Sequence, residues 1–267
     1  MNQLSLLRRA LAAIGWSGLG LVAVAVMLGD FLARAPLGTV HVGPSLAPPS
    51  EQFPFGTDVL GRDMFSETLY GLIATVTQAG EAAVLAVLAG GLLGFIAAHL
   101  PRPAGATLRW AVGAFAGIPA LLLALLLIGL TARGLAGAAA GLAAAPLAFV
   151  RAFDRAQGQN SLGHAEYARA TGISSSALLN RDLAYEFRDT LLPTAARALA
   201  AVAIILSTVS FLGFGAVPPH RDLGLMIAAA KATYMQAWWT AAFPALALML
   251  FILLARLAAG LDEGERP

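Results

Sequence analysis

Few side chains in this sequence could do chemistry, and their types and spacing narrow what is available. There is no cysteine, which removes thiol nucleophiles, disulfides and thiolate metal sites. The four histidines, His41, His99, His164 and His220, are scattered along the chain, so no metal site is expected. No Gly-x-Ser-x-Gly or His-Glu-x-x-His pattern offers a nucleophile or a zinc pair. Lys231 is the only lysine, and no Gly-x-x-x-x-Gly-Lys-Ser/Thr phosphate cradle surrounds it. Any ATP hydrolysis coupled to this chain therefore belongs to another polypeptide, and the chain itself is not expected to be an enzyme.

Two features remain. Glu81 is the one acid deep inside an expected apolar span, with Gln78 three residues before it on the same helical face. Ionisable groups within a membrane segment usually face a polar interior and mark a pathway, which makes Gln78 and Glu81 candidate pathway residues. The plainer alternatives are a carboxyl held neutral by a neighbouring helix, or one near the interface because the span starts late. The second feature is Arg151–Pro193, the longest polar interval, with five of the 17 basic residues and five of the 15 acids. Its alternatives are a solvated loop without a partner and a loop presented to another subunit.

The elements that must position these groups follow from composition. The chain has 267 residues, 58% of them hydrophobic and only 12% charged, with a mean hydropathy of +0.76. Soluble domains carry about a quarter charged residues, so this pattern excludes one. A bilayer core of about 30 Å asks for about 20 apolar residues per span, and the polar stretches leave room for about six. The expected spans are 11–31, 69–100, 108–130 with Pro119 inside it, 135–150, 191–217 and 237–257, with an outer segment over 218–234. Ala33-Arg34-Ala35 resembles a signal-peptide cleavage site, but the apolar run before it is longer than such peptides carry, so an uncleaved first span is expected. Residues 101–103, Pro-Arg-Pro, read as a breaker. Six spans place 12 of the Lys and Arg residues on one side and five on the other, Arg34, Arg62, Arg133, Arg221 and Lys231. The richer side is expected to be cytoplasmic, with both termini and the large loop.

Three stretches, in order, make the chain resemble the second permease subunit of the bacterial dipeptide, oligopeptide and nickel ABC importers. The first is Phe55-Gly56-Thr57-Asp58-Val59-Leu60-Gly61-Arg62-Asp63, similar to a signature after the first span in which Gly56, Asp58, Gly61, Arg62 and Asp63 match. The second is Glu166-Tyr167-Ala168-Arg169-Ala170-Thr171-Gly172, similar to the loop by which import permeases couple to their ATPases. The third runs from Ser210-Phe211-Leu212-Gly213-Phe214-Gly215 through Pro218-Pro219 to Gly224-Leu225-Met226, and adds Ser210, Phe211 and Gly213 to the candidate pathway.

The resemblance implies an all-α integral membrane protein of about six transmembrane helices with a type I ABC importer permease fold. Residues 1–68 would hold the first span and the outer signature segment, and 69–267 a five-span core with a cytoplasmic coupling loop at 151–193. It also implies partners: a second homologous permease, two ATP-binding subunits that carry ATP and magnesium, and an extracytoplasmic solute-binding protein. The location implied is the bacterial inner membrane, and the solutes are peptides, nickel or metal chelates, or related small compounds. No cofactor is expected in this chain and no nucleic-acid partner. The sequence departs from the pattern at Tyr167, at Leu223 where the family has Trp, and at Leu206 where many relatives carry Glu. The interval from Gly172 to Pro193 is also about eight residues longer. Rival readings are a secondary transporter, though no matching half to a broken span at Pro119 is found, and an intramembrane enzyme, for which only Glu81 stands inside a span.

Overall fold

The computed structural model describes residues 3–130, 135–160, 191–215 and 221–260, and all regular structure among them is helical apart from one isolated β-bridge. Helix α1 spans Gln3–Met27, followed by a single turn, α2, at Gly29–Leu32. An ordered irregular segment leads to α3, Met64–Ala86, which continues through a π-helical stretch, Val87–Leu92, into α4, Leu93–Ala98. Then come α5 (Arg102–Ala116), α6 (Ala120–Leu130) and α7 (Ala136–Asn160). The last described elements are α8 (Leu192–Phe211), the short α9 (Leu223–Ala229) and α10 (Trp239–Ala258). Among the described residues five helices are long and apolar enough to cross a bilayer, and six if α5 and α6 together make one span. The chain is an all-α integral membrane protein.

Helix α7 is the hub, packed against α3, α4, α5, α6 and α8. The reason is side-chain size. Ala139, Ala140, Ala143, Ala144, Ala148, Ala152 and Ala156 are buried along it, and Gly90, Gly94 and Gly141 sit where any β-carbon would collide with the facing backbone of Ala145, Phe149 and Ala82. In lipid the hydrophobic effect does not drive helices together, so close backbone approach and dispersion must do so, and small residues permit both. By contrast only 6% of the α1 span is buried, and α1 lies on the rim against α10.

Several expected boundaries are corrected. The first span ends at Met27 rather than residue 31, because the helix is interrupted at Leu28 before the separate turn Gly29–Leu32. The second helix starts at Met64, five residues before the expected 69, because Asp63 caps it. The largest departure is the third crossing. A single kinked span was expected over 108–130, whereas α5 and α6 meet at 84°. Pro119 has no N–H to give and its ring clashes with a preceding turn, so α5 ends at Ala116 and a new helix starts with the Pro119 carbonyl accepting from Leu122. The Pro101-Arg102-Pro103 break is where expected, with α4 ending at Ala98 and α5 starting at Arg102, and Pro103 lies in the first turn of α5, where a missing N–H costs nothing. Helix α7 runs ten residues past the expected end at Val150, because Phe149 and Phe153 extend its apolar face onto Ala97 and Ala98. Arg109 on α5 also donates twice to Asp154 there, at 2.7 and 2.9 Å. Helix α8 stops at Phe211 rather than 217, and the outer segment contains α9.

Candidate functional site

The signature Phe55–Asp63 folds as a tight turn that docks on the bundle. Thr57 and Asp63 form the isolated antiparallel bridge, and Gly61 N–H closes a turn onto the Asp58 carbonyl at 3.0 Å. The Asp58 carboxylate accepts from the amides of Leu60 (2.8 Å) and Arg62 (2.9 Å), the local self-bonding that suits Asp to turns. Gly56 and Gly61 have φ of +71° and +66°, a region closed to most side chains. Space forbids a side chain there too: a β-carbon on Gly56 would lie 2.6 Å from Trp239 Nε1. Thr57 is fully buried, with its hydroxyl donating to Pro44 and accepting from Ala47 N–H. Its carbonyl accepts from Trp239 Nε1 at 3.0 Å, and Phe55 stacks on Phe243 at 3.9 Å. The signature is thus pinned to the start of α10.

Its last residue starts α3. Asp63 caps the helix, accepting from Ser66 N–H (3.0 Å) and Ser66 Oγ (2.6 Å). Ser66 Oγ in turn accepts from the amides of Arg34 and Ala35, so the residue that Asp63 caps also holds the segment arriving from α2.

One turn on, Glu67 is 2% exposed and gathers three partners. Its Oε1 accepts from Gly38 N–H at 2.9 Å. Its Oε2 lies 2.7 Å from Arg221 Nη1 and 3.9 Å from Arg62 Nη1. Arg62 also approaches Asp58 at 3.6 Å. A buried carboxylate is tolerated when charge and hydrogen bonds replace its water; here Arg62 and Arg221 supply the charge and Gly38 N–H the hydrogen bond. This network ties the signature to the segment before α9, where Asp222 repeats the device. Asp222 caps α9 through Leu225 N–H (2.8 Å) and accepts from Ser210 Oγ at 2.6 Å. Leu223 N–H, the next donor, goes to Thr75 Oγ1 on α3 at 3.0 Å.

The candidate pathway residues are not brought together. Ser210 is 2% exposed and turned toward Asp222, on the packed side of α8. Phe211 carries Lys231 Nζ 3.6 Å above its ring, an arrangement that stabilises the cation by the ring's negative face. Gly213 is exposed with φ +88°. Gln78 is half-buried and Glu81 exposed, on the outward face of α3. The expected coupling residues Glu166, Tyr167, Ala168, Arg169, Ala170 and Gly172 lie outside the described residues, as do Pro218 and Pro219. Leu206 is a buried member of the central apolar core. Among the described residues, no three His, Asp or Glu side chains converge as a metal site would require.

Sequence reasoning missed Glu67, Arg221 and Asp222. Two of these had a signal: Asp63-x-x-Ser66-Glu67 and Asp222-x-x-Leu225 both read as helix N-caps. Arg221 had none, because only the fold carries it to Glu67 across 154 positions of sequence.

No family model matches the chain. Curated proteins do. A putative peptide transport system permease protein of Brucella suis is 28% identical over 250 residues, 92% of this chain and 83% of the relative. The di/tripeptide transport system permease protein DppC of Pseudomonas aeruginosa is 28% identical over 78% of this chain and 71% of its own length. The peptide transport system permease protein SapC of Haemophilus influenzae is 29% identical over 86% of this chain and 80% of its own.

Proposed function

We propose that this chain, a homologue of bacterial peptide-transport permeases, is a transmembrane subunit of an ATP-driven importer for peptides or related small solutes. Nickel and metal chelates stay within that solute range. In this reading a second permease completes the pore, two ATP-binding subunits grip the loop around Glu166–Gly172, and an extracytoplasmic binding protein delivers solute. The protein sits in the inner membrane with both termini in the cytoplasm, and the Phe55–Asp63 turn faces outward.

The observation that carries the reading is similarity to peptide permeases along nearly the whole chain, in a protein with five to six apolar spans. Physically, the parts suit the role. The chain has no phosphate cradle of its own, so work must enter through a partner that binds one pore conformation better than another. The outer turn is rigidly pinned to α3 and α10, which lets force on one end reach the other as movement of whole helices.

The test is reconstitution of the chain with the proposed second permease, ATPase and binding-protein partners in proteoliposomes. Uptake of labelled tripeptides that requires ATP and all subunits supports the reading. Uptake by this chain alone, driven by an ion gradient, returns it to the secondary transporters. Sidedness is read from single cysteines in the Cys-free chain. Val59, 53% exposed on the signature turn, should react as Val59→Cys from outside, and Ser175→Cys only after the membrane is opened. Gly172→Leu should leave insertion intact and cut ATPase retention or solute-stimulated hydrolysis.

A further inference from the structure

The continuous span Met64–Ala98 has 35 residues, and Glu81 is its midpoint. At about 1.5 Å per residue, about 25 Å of helix lies on either side of it. Even a tilted helix then keeps Glu81 inside a hydrocarbon core of about 30 Å. The structure also fixes which way it faces. Ala79, Ala82, Ala83 and Ala86 form the buried side of α3, while Thr77, Glu81, Val84 and Leu88 are exposed. Those four recur at i, i+4, i+7 and i+11, one stripe on the side away from the core. Glu81 meets no hydrogen-bond or ion-pair partner among the described residues. A charge in that position facing lipid costs about 3 kcal/mol or more, so lipid does not cover the stripe.

Resting on the permease reading, we infer that the stripe from Thr77 on α3 to Leu88 in the π-helical stretch lines the transport pathway, and that Glu81 selects solutes with a positively charged amine. Two features favour water and solute over a subunit contact. The Thr77 hydroxyl already donates to the Ile73 carbonyl at 2.8 Å. The groups left seeking partners are the Glu81 carboxylate and the Gln78 amide, an acceptor-rich pair complementary to an ammonium donor. An ionised carboxylate can only accept, which suits a peptide amino terminus or a basic side chain.

The experiment uses the assembled complex. Thr77→Cys, Glu81→Cys, Val84→Cys and Leu88→Cys are treated with water-soluble cationic and anionic methanethiosulfonates, with Ala83→Cys as the buried control. The expected result is reaction along the stripe and not at the control. At Thr77→Cys, with Glu81 intact, the cationic reagent should be the faster. Transport is then compared for Lys-Ala-Ala and N-acetyl-trialanine. Glu81→Gln should lower kcat/KM for Lys-Ala-Ala roughly tenfold, the factor a lost charged hydrogen bond gives, and leave the acetylated probe nearly unchanged. A stripe that does not react, or an equal loss for both probes, overturns the inference. Loss of assembly in Glu81→Gln assigns the carboxylate to the partner permease and overturns it as well. Absence of ATP-dependent uptake in the wild type would sink the importer reading instead, while labelling of the stripe would still report a wet pathway.

Discussion

Glu67→Ala should release the signature end of the protein. The side chain is almost fully buried and holds Gly38 N–H, Arg221 and, more distantly, Arg62. Removing it leaves Gly38 without its acceptor and two guanidinium groups without their countercharge. Breaking a fully buried pair from one side costs about 3–5 kcal/mol. Arg221 keeps 26% of its side chain in contact with solvent, and Arg62 retains Asp58, so both recover part of that loss. A cost of about 2–3 kcal/mol follows, which is about 30- to 150-fold in a local opening equilibrium. Hydrogen exchange at Gly38 in nanodisc-embedded protein reads it directly, because that amide loses its acceptor. Glu67→Gln keeps shape and acceptor and should give a smaller increase. The decisive comparison is the cycle of Glu67→Ala, Arg221→Ala and both together, which isolates the pair from the Gly38 bond. If the two single losses simply add, the ion pair contributes nothing and the argument for a charge-tied outer segment fails.

The same reasoning extends to the other joints. Asp63→Ala removes the cap of α3 and the acceptor that orients the Ser66 hydroxyl, and should lower stability by about 1–2 kcal/mol, measured as a shifted thermal midpoint. Asp222→Ala should free α9, so that protease or exchange reaches Leu223–Ala229, while Asp222→Asn retains an acceptor and loses less. Gly90→Leu forces the π-helical stretch Val87–Leu92 away from α7 and should abolish accumulation of folded protein, whereas Gly80→Ala, which meets open space, should fold normally. Folded Gly90→Leu at wild-type yield would contradict the close packing described.

The sequence by itself determined what kind of object this is. Apolar runs of span length are a direct consequence of bilayer thickness, so about six spans were legible without any contact, and the described residues hold five, or six if α5 and α6 make one. The turn residues of the signature were legible as well, because Gly56, Asp58 and Gly61 answer local backbone needs. What escaped is non-local. The 84° bend was reduced to a kink because Pro119 announces a break but not its angle, which is set by how α5 seats on α4 and α7. Helix α7 outran its hydropathy because Asp154, polar in sequence, is balanced by Arg109 from another helix. Glu67 became the centre of a network only when Arg221 arrived from 154 residues away. Glu81 stood out at once as a charge in an apolar run. Only tertiary structure showed that the core lies on the opposite side of α3, because helical period alone cannot say which face of an Ala-rich helix its neighbours will take.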